Sequence, residues 1–351
     1  MSEERLMILN MLQEGKITQE EALKLLDAIG EKNNYSNDKT KKISDMNFND
    51  MASKIGSAIE SAFYKMTDSI SNLDTDYRIF NNYTGRILKS IRIDNLEEEI
   101  NLYIKNRNDK VQVYQWDKDY IEAIANVYYD EREYTRDFDF LIHTINEQNH
   151  YIGIDTQKSN KGYSARITVN IPENLVKNLK IETSNSKIEA ENLDIDYVEF
   201  TTSNGKISLS SVAANSIVCK TSNSKISAKD IEADTLECTT TNGKIDLETL
   251  DVRKIDARNT NGSINIDTIN SNAKELSLNS TNGGLYIEGL DYSRPIKATI
   301  SGRLSHNLSS NFINLNEISR ETIATNAKYI EDSEDVLYIF AHTTNGKVEI
   351  I

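Results

Sequence analysis

The sequence predicts a mainly β protein, a β-solenoid or β-helix with coils of about 19 residues, preceded by a small helical hairpin and an amphipathic helix. Three observations carry this expectation. The phrase TSNGKISL recurs as TSNSKIEA, TSNSKISA, TTNGKIDL, NTNGSINI, STNGGLYI and TTNGKVEI. Its Asn falls at Asn185, Asn204, Asn223, Asn242, Asn261 and Asn282, giving four intervals of 19 and one of 21, with a further copy at Asn345. Apolar residues also keep fixed places when each Asn is counted as the first. The fourth place holds Ile188, Ile207, Ile226, Ile245, Ile264 and Leu285, and the sixth holds Ala190, Leu209, Ala228, Leu247, Ile266 and Ile287. The ninth adds Leu193, Val212, Ile231, Leu250, Ile269 and Leu290, and the fourteenth Val198, Ile217, Leu236 and Ile255. Self-similarity at such a period marks units that bury their apolar face only by stacking on neighbours. Polar residues between these places give each coil three short strands with one face inward and one in water. An antiparallel meander would reverse at each turn and lose the constant spacing, and a leucine-rich repeat would need a Leu ladder that is not present.

From the N-terminus, residues 1–33 read as a helical hairpin. Leu6, Leu9 and Leu12 share one helical face, Glu14-Gly15 breaks the helix, and Thr18 to Glu21 form a capping box for a second helix. Ala22, Leu25, Leu26 and Ile29 supply its apolar stripe before Gly30. Residues 34–45 are polar and read as a linker. Over 46–75, Phe48, Met51, Ile55, Ile59, Phe63, Met66, Ile70 and Leu73 recur at threes and fours, the pattern of one long amphipathic helix. Residues 78–171 form a less regular β region in which NDKVQVYQW (Asn108 to Trp116) already starts the solenoid and VYYDEREYTRDFDF interrupts it, as a cap or lateral loop. Residues 172–351 are expected to be regular coils whose final edge, at Asn345, is uncapped and able to pair with another protomer.

The Asn-Gly and Asn-Ser phrases suit corners, because these residues tolerate a left-handed backbone. Stacked corners also bring Asn185, Asn204, Asn223, Asn242, Asn261, Asn282 and Asn345 into register, where their amides can bond along the axis. Corner geometry is favoured over a polar ligand strip. Lys187, Lys206, Lys225 and Lys244 then form a row along one edge. The row is either a surface strip for an anionic polymer or, the favoured reading, a solvated edge that discourages sheet pairing. Cys219 and Cys238 share the sixteenth, inward place with Phe200 and Ala257 and read as small buried hydrophobes.

With 351 residues, 38% hydrophobic content and a net charge of −15, the chain holds a core but lacks the basic field that nucleic acid or an anionic membrane would need. The hairpin is itself acidic, six acids against three bases from Glu3 to Asp27. The chain shows no secretory signal and no run of roughly 20 apolar residues, so a cytoplasmic, soluble protein is the plain expectation. Two cysteines argue against a disulfide framework. His143, His150, His306 and His342 lack metal spacing, and acids such as Asp246, Glu248 and Asp267 are isolated on solvated strands. No catalytic, cofactor or metal-binding residue is assigned, and the expectation is a non-enzymatic protein.

The T-x-N-G-K-I phrase, with the lead-in VNIPENLVKNLKIETSNSKI (Val169 to Ile188), resembles the bacterial putative-adhesin family of β-strand-repeat proteins, a domain of unknown function. The stretch EERLMILNMLQEGKITQEEALKLLDAI resembles the SHOCT-like domain that precedes those repeats in YvlB- and LiaX-type proteins of Gram-positive bacteria. The resemblance implies a part in the response to cell-envelope stress, with a cell-surface or membrane-associated setting. Its partner would be a protein or peptide, such as a membrane signalling protein or a cationic antimicrobial peptide. The alternative function is a structural, adhesin-like protein that self-associates end to end.

Overall fold

In the computed structural model, residues 84–351 are described apart from 97–98, 131, 133–141, 147–149, 157–162, 303–305, 332 and 334. The chain divides into two units, Met1–Asp74 and Thr75–Ile351, and the described residues all belong to the second. The helical hairpin, linker and amphipathic helix expected over 1–75 lie outside them, as does most of the 127–140 insertion.

The N-terminal part comprises β1 (Gly85–Ile93), β2 (Ile100–Asn106), β3 (Lys110–Trp116), β4 (Ile121–Tyr129), β5 (Ile142–Asn146), β6 (Tyr151–Asp155) and β7 (Tyr163–Pro172). Regular coils follow as β8 (Val176–Thr183), β9 (Lys187–Asp194) and β10 (Tyr197–Thr202), then the long strands β11 (Ile207–Thr221), β12 (Ile226–Thr240) and β13 (Ile245–Asn259). The stack continues as β14 (Ile264–Ile269), β15 (Glu275–Ser280) and β16 (Leu285–Glu288). The C-terminal part is β17 (Ile296–Gly302), β18 (His306–Leu308), β19 (Phe312–Ile318), β20 (Glu321–Asn326), β21 (Leu337–Thr343) and β22 (Val348–Ile350). All belong to one β-solenoid sheet system of 22 strands.

Successive coils pair in parallel and in register, so residues of the same place stack: Ile207 on Ile226, Leu209 on Ala228, Val212 on Ile231, Ile217 on Leu236. These side chains are buried and line the interior from one end to the other. Burying each Ile, Leu or Val contributes on the order of 1.5–3 kcal/mol, most of it realised only when the next coil is in place. Each long strand bends twice: β11 and β12 pair from Ile207 to Ser210, from Val212 to Ala214 and from Ser216 to Thr221, skipping Ser211 and Asn215.

The bend at the eighth place is left-handed. Asn192, Ser211, Asp230, Thr249 and Thr268 have φ between 53° and 59°, and Gly289 has 68°. A residue in this conformation interrupts the alternation of side chains, so the sixth and ninth places, three apart, both face inward. Among the described residues none of the corner Asn or Gly residues has a positive φ. The left-handed turn expected at Asn-Gly therefore sits seven residues further on, and the corner is built differently. The single interval of 21 is absorbed just before β15: Leu250 pairs with Ile269, but Lys254 pairs with Glu275.

At both ends the order of the chain and the order of the layers part company. The layer β2–β3 lies between β8–β9 on one side and β6–β7 on the other. At the other end the chain leaves β16, builds β17 and β18 one layer too far out, and returns to lay β21–β22 into the gap between β15–β16 and β17–β18. Beyond these layers the ladders turn antiparallel, with β4 on β7 and β1 on β4, β5 on β6, and β20 on β17 followed by β19. Two expectations are corrected. β19 and β20 form an antiparallel ribbon in place of a regular coil, and the coil at Asn345 is no free edge, because β21 and β22 have a neighbour on either side. Parallel pairing can continue from any bare coil, so antiparallel strands across the ends restrain it.

Candidate functional site

The corner phrase places three kinds of residue in three environments. Outside, the Asn side chains form a continuous ladder. Asn204 donates to Asn185, Asn223 to Asn204, Asn242 to Asn223 and Asn261 to Asn242, each at 2.7 Å. Asn282 donates to Asn261 and Asn345 to Asn282 at 2.8 Å, and Asn185 donates to Asn108 at 2.8 Å. Inside, the residue two before the Asn is buried from the second coil onward, as Thr202, Thr221, Thr240, Asn259, Ser280 and Thr343, and where a Thr is followed by Gly three places on it bonds twice. The Thr240 hydroxyl accepts from the Gly243 N–H at 3.1 Å and donates to the Ser224 carbonyl of the preceding coil at 3.1 Å. Thr343 does the same with Gly346 and the Gly283 carbonyl, at 3.0 and 2.9 Å. Between them the Gly allows close approach: a Cβ at Gly243 would lie 1.7 Å from the Ser224 carbonyl oxygen, and one at Gly346 1.9 Å from that of Gly283.

The Lys row runs beside this ladder but is broken by acids at the fifth place. Lys225 and Lys244 both reach Asp246, at 2.5 and 2.9 Å, and Lys110 and Lys187 both pair with Glu189. Partial burial opposes ionisation of Asp246 and Glu189, yet the paired ammonium groups outweigh it and hold both carboxyls below the ordinary range. Among the described residues Lys206 pairs with no carboxylate; partial burial, then the neighbouring Lys187 and Lys225, lower its pKa. Such an edge, neutralised in sections, suits a solvated face better than a track for a polyanion. Glu248 pairs with Lys229 at 2.5 Å, and Asp267 accepts from the Thr268 hydroxyl at 3.0 Å, so these acids join ordinary surface contacts.

A second surface follows the left-handed bend. The tenth and twelfth places and the turns beside them form an open groove of about 990 Å³. Asp194, Asp196, Glu232, Asp234, Asp251, Asp291 and Asp335 line it, against Arg253, Lys274 and Arg294, seven acids to three bases. The bases are engaged: Arg253 with Asp234 at 3.3 Å, Lys274 with Asp335 at 2.9 Å, and Arg294 with the Ser271 carbonyl at 2.5 Å. Sequence reasoning missed this groove. Its acids keep the period only in part, Glu232 and Asp251 being 19 apart while Ala213 and Asn215 interrupt the series from Asp194 and Asp196, and acids on solvated strands are too common to single out.

A third surface lies on the outer face of β6, β2, β8 and β10, a basin of about 640 Å³. Tyr103 and Tyr151 stand with ring centroids 6.4 Å apart and planes at 49°. The Tyr103 hydroxyl donates to Glu182, and burial, then that carboxylate, raises its pKa, so the phenol stays protonated. Lys180 bridges Glu182 and Glu199 at 3.2 and 3.4 Å, Asn178 donates to Asn101 at 2.6 Å, and the Tyr197 hydroxyl donates to Glu199 at 3.2 Å.

Among the described residues no group of three or more His, Cys, Asp or Glu could hold a metal ion. His342 sits beside the Ser301 hydroxyl at 2.8 Å. No helix among the described residues is long and apolar enough to cross a membrane. Cys219 and Cys238 are buried, free and in register with each other.

A family model described as Toastrack DUF4097 matches residues 89–350, and one described as a SHOCT-like domain matches residues 3–34. No curated protein matches the chain. Among solved structures, a "putative adhesin" from Parabacteroides merdae ATCC 43184 is 13% identical over 76% of this chain and 97% of its own, with a TM-score of 0.44. A "putative lipid binding protein" from Parabacteroides distasonis ATCC 8503 is 17% identical over 76% and 97%, with a TM-score of 0.43. A "putative cell adhesion protein" from Clostridium sporogenes ATCC 15579 is 12% identical over 76% and 98%, with a TM-score of 0.27.

Proposed function

Because this chain belongs to the Toastrack DUF4097 family, we propose that it is a non-catalytic interaction scaffold that joins a SHOCT-like module to a β-solenoid and takes part in sensing or regulating cell-envelope stress. The observation that carries this reading is the acidic groove. Its seven carboxylates outnumber three bases that are already engaged within it, leaving a field that attracts a cationic partner. A basic amphipathic peptide, or a basic segment of a membrane signalling protein, has the matching chemistry. The order of the two domains, which resembles YvlB- and LiaX-type proteins, supports the envelope setting.

The test titrates the full-length protein with a lysine-rich amphipathic peptide, followed by fluorescence anisotropy. Saturable binding is expected, weakening as salt screens the groove and falling in the combined variant Asp194→Asn, Glu232→Gln, Asp251→Asn. Binding that ignores those substitutions would remove the groove from the mechanism. Fractionation and protease shaving of intact host cells address the setting: exposure fits direct peptide sensing, whereas a protected cytosolic protein would sink it and leave an intracellular scaffold.

A further inference from the structure

The tyrosine basin at the N-terminal end differs from the groove in charge and in lining. Lys105 and Lys180 stand against Glu182 and Glu199, two against two, and all four belong to the contact network around it. A balanced field gives no advantage to a polyanion or to a cationic peptide. The rings supply the apolar part. Tyr103 faces Gly153 across the β2–β6 ladder, and a Cβ at Gly153 would lie 3.0 Å from the Tyr151 hydroxyl and 3.1 Å from its ring. The bare glycine is therefore what lets the Tyr151 ring lie along the sheet beside Tyr103. Lys105 rests over Tyr103, its ammonium 4.9 Å from the ring centre. Tyr197 borders the far side, three ladder steps from Tyr151 through Asn101 and Asn178, a span of roughly 14 Å at the usual strand spacing.

We infer that this basin binds a neutral oligosaccharide, with hexopyranose rings stacked on Tyr103 and Tyr151 and hydroxyls bonded to the amide of Asn178, the ammonium of Lys180 and the carboxylate of Glu182. A sugar ring offers a C–H face to an aromatic surface and a rim of hydroxyls to polar groups around it. Aromatic side chains with fixed polar neighbours are the matching receptor. The polar groups here are held in place by one another, which lowers the ordering cost of binding. A lipid chain would meet carboxylate and ammonium at the rim of the rings, and the span from Tyr151 to Tyr197 suits a short chain of sugars better than a single ring.

The experiment uses the full chain with cellohexaose, maltohexaose and chitohexaose as probes, by calorimetry and saturation-transfer NMR, and dextran sulfate as the anionic control. At least one neutral probe is expected to bind saturably, with transfer concentrated on ring C–H protons. Tyr103→Ala and Tyr151→Ala are expected to weaken it about tenfold, and Tyr151→Phe by no more than about twofold. Tyr286→Ala, on a distant coil, should leave binding unchanged. Tyr151→Leu keeps apolar bulk on the sheet and removes the aromatic face, separating lost stacking from lost folding. The inference is overturned if no neutral probe saturates at millimolar concentration, if only dextran sulfate binds, or if the Tyr103 and Tyr151 variants bind like wild type.

Discussion

The complete repeat phrase places its most specific chemistry on three residues. A Thr hydroxyl closes the turn and fastens it to the coil before, a Gly admits a carbonyl at a distance no Cβ allows, and the Asn bonds outward along the axis. The Asn ladder was legible because amides in register at a fixed period have a natural partner in each other. The Thr was hidden, since it looks like any β-forming polar residue until it is found buried. Asp246 gives a prediction at this scale. Its folded-state pKa lies below the ordinary carboxylate value, so its stabilising contribution is complete above roughly pH 4 and fades as pH falls through the depressed value. Urea midpoints of wild type and Asp246→Asn should thus differ by a constant amount at neutral pH and converge on acidification. A gap that stays constant down to the acid limb would show that Asp246 acts through shape and not charge.

The strands owe the first of their two bends to one left-handed residue per coil, and nothing in the residue types at that place announces it. Asn192, Ser211, Asp230, Thr249, Thr268 and Gly289 share only small or polar character. The legible clue was indirect: two inward places three apart cannot both belong to an unbroken strand. A β-branched residue is the least suited to that conformation. Thr249→Asn is therefore expected to raise stability by up to about 1 kcal/mol, read from the urea midpoint. A loss instead would mean that the Thr249 methyl packs favourably enough to offset its strain. The terminal ribbons were less legible than the bends. Antiparallel strands such as β4 and β20 carry alternation but no period, so sequence self-similarity is silent about where they dock.

For the molecule as a whole, the period foretold a parallel stack with a continuous interior and could not foretell the exchange of layers at its ends. The phrases at Asn108 and Asn345 marked those segments as coils, but a repeat unit does not record which neighbours it will have. The tyrosine basin was illegible for the same reason, because Tyr103, Tyr151 and Tyr197 meet only through the exchange at the N-terminal end. The buried Cys219 and Cys238, in the central coils, test how far the stack acts as one unit. The hydrogen bond of the Cys219 thiol with Cys238, then burial, raises the Cys219 pKa well above its ordinary value, and both side chains are fully buried, so both thiols should resist a thiol reagent until the stack unfolds globally. Rapid labelling in native buffer would reveal local opening between coils. The exchanged layers also set an order of events on the ribosome. Residues of β17 and β18 are translated before those of β21 and β22, on which they rest. Until the nascent chain turns back to fill the vacant layer, β17 has only the antiparallel ribbon of β20 and β19 beside it and β18 has no strand at all, and the growing solenoid cannot be closed.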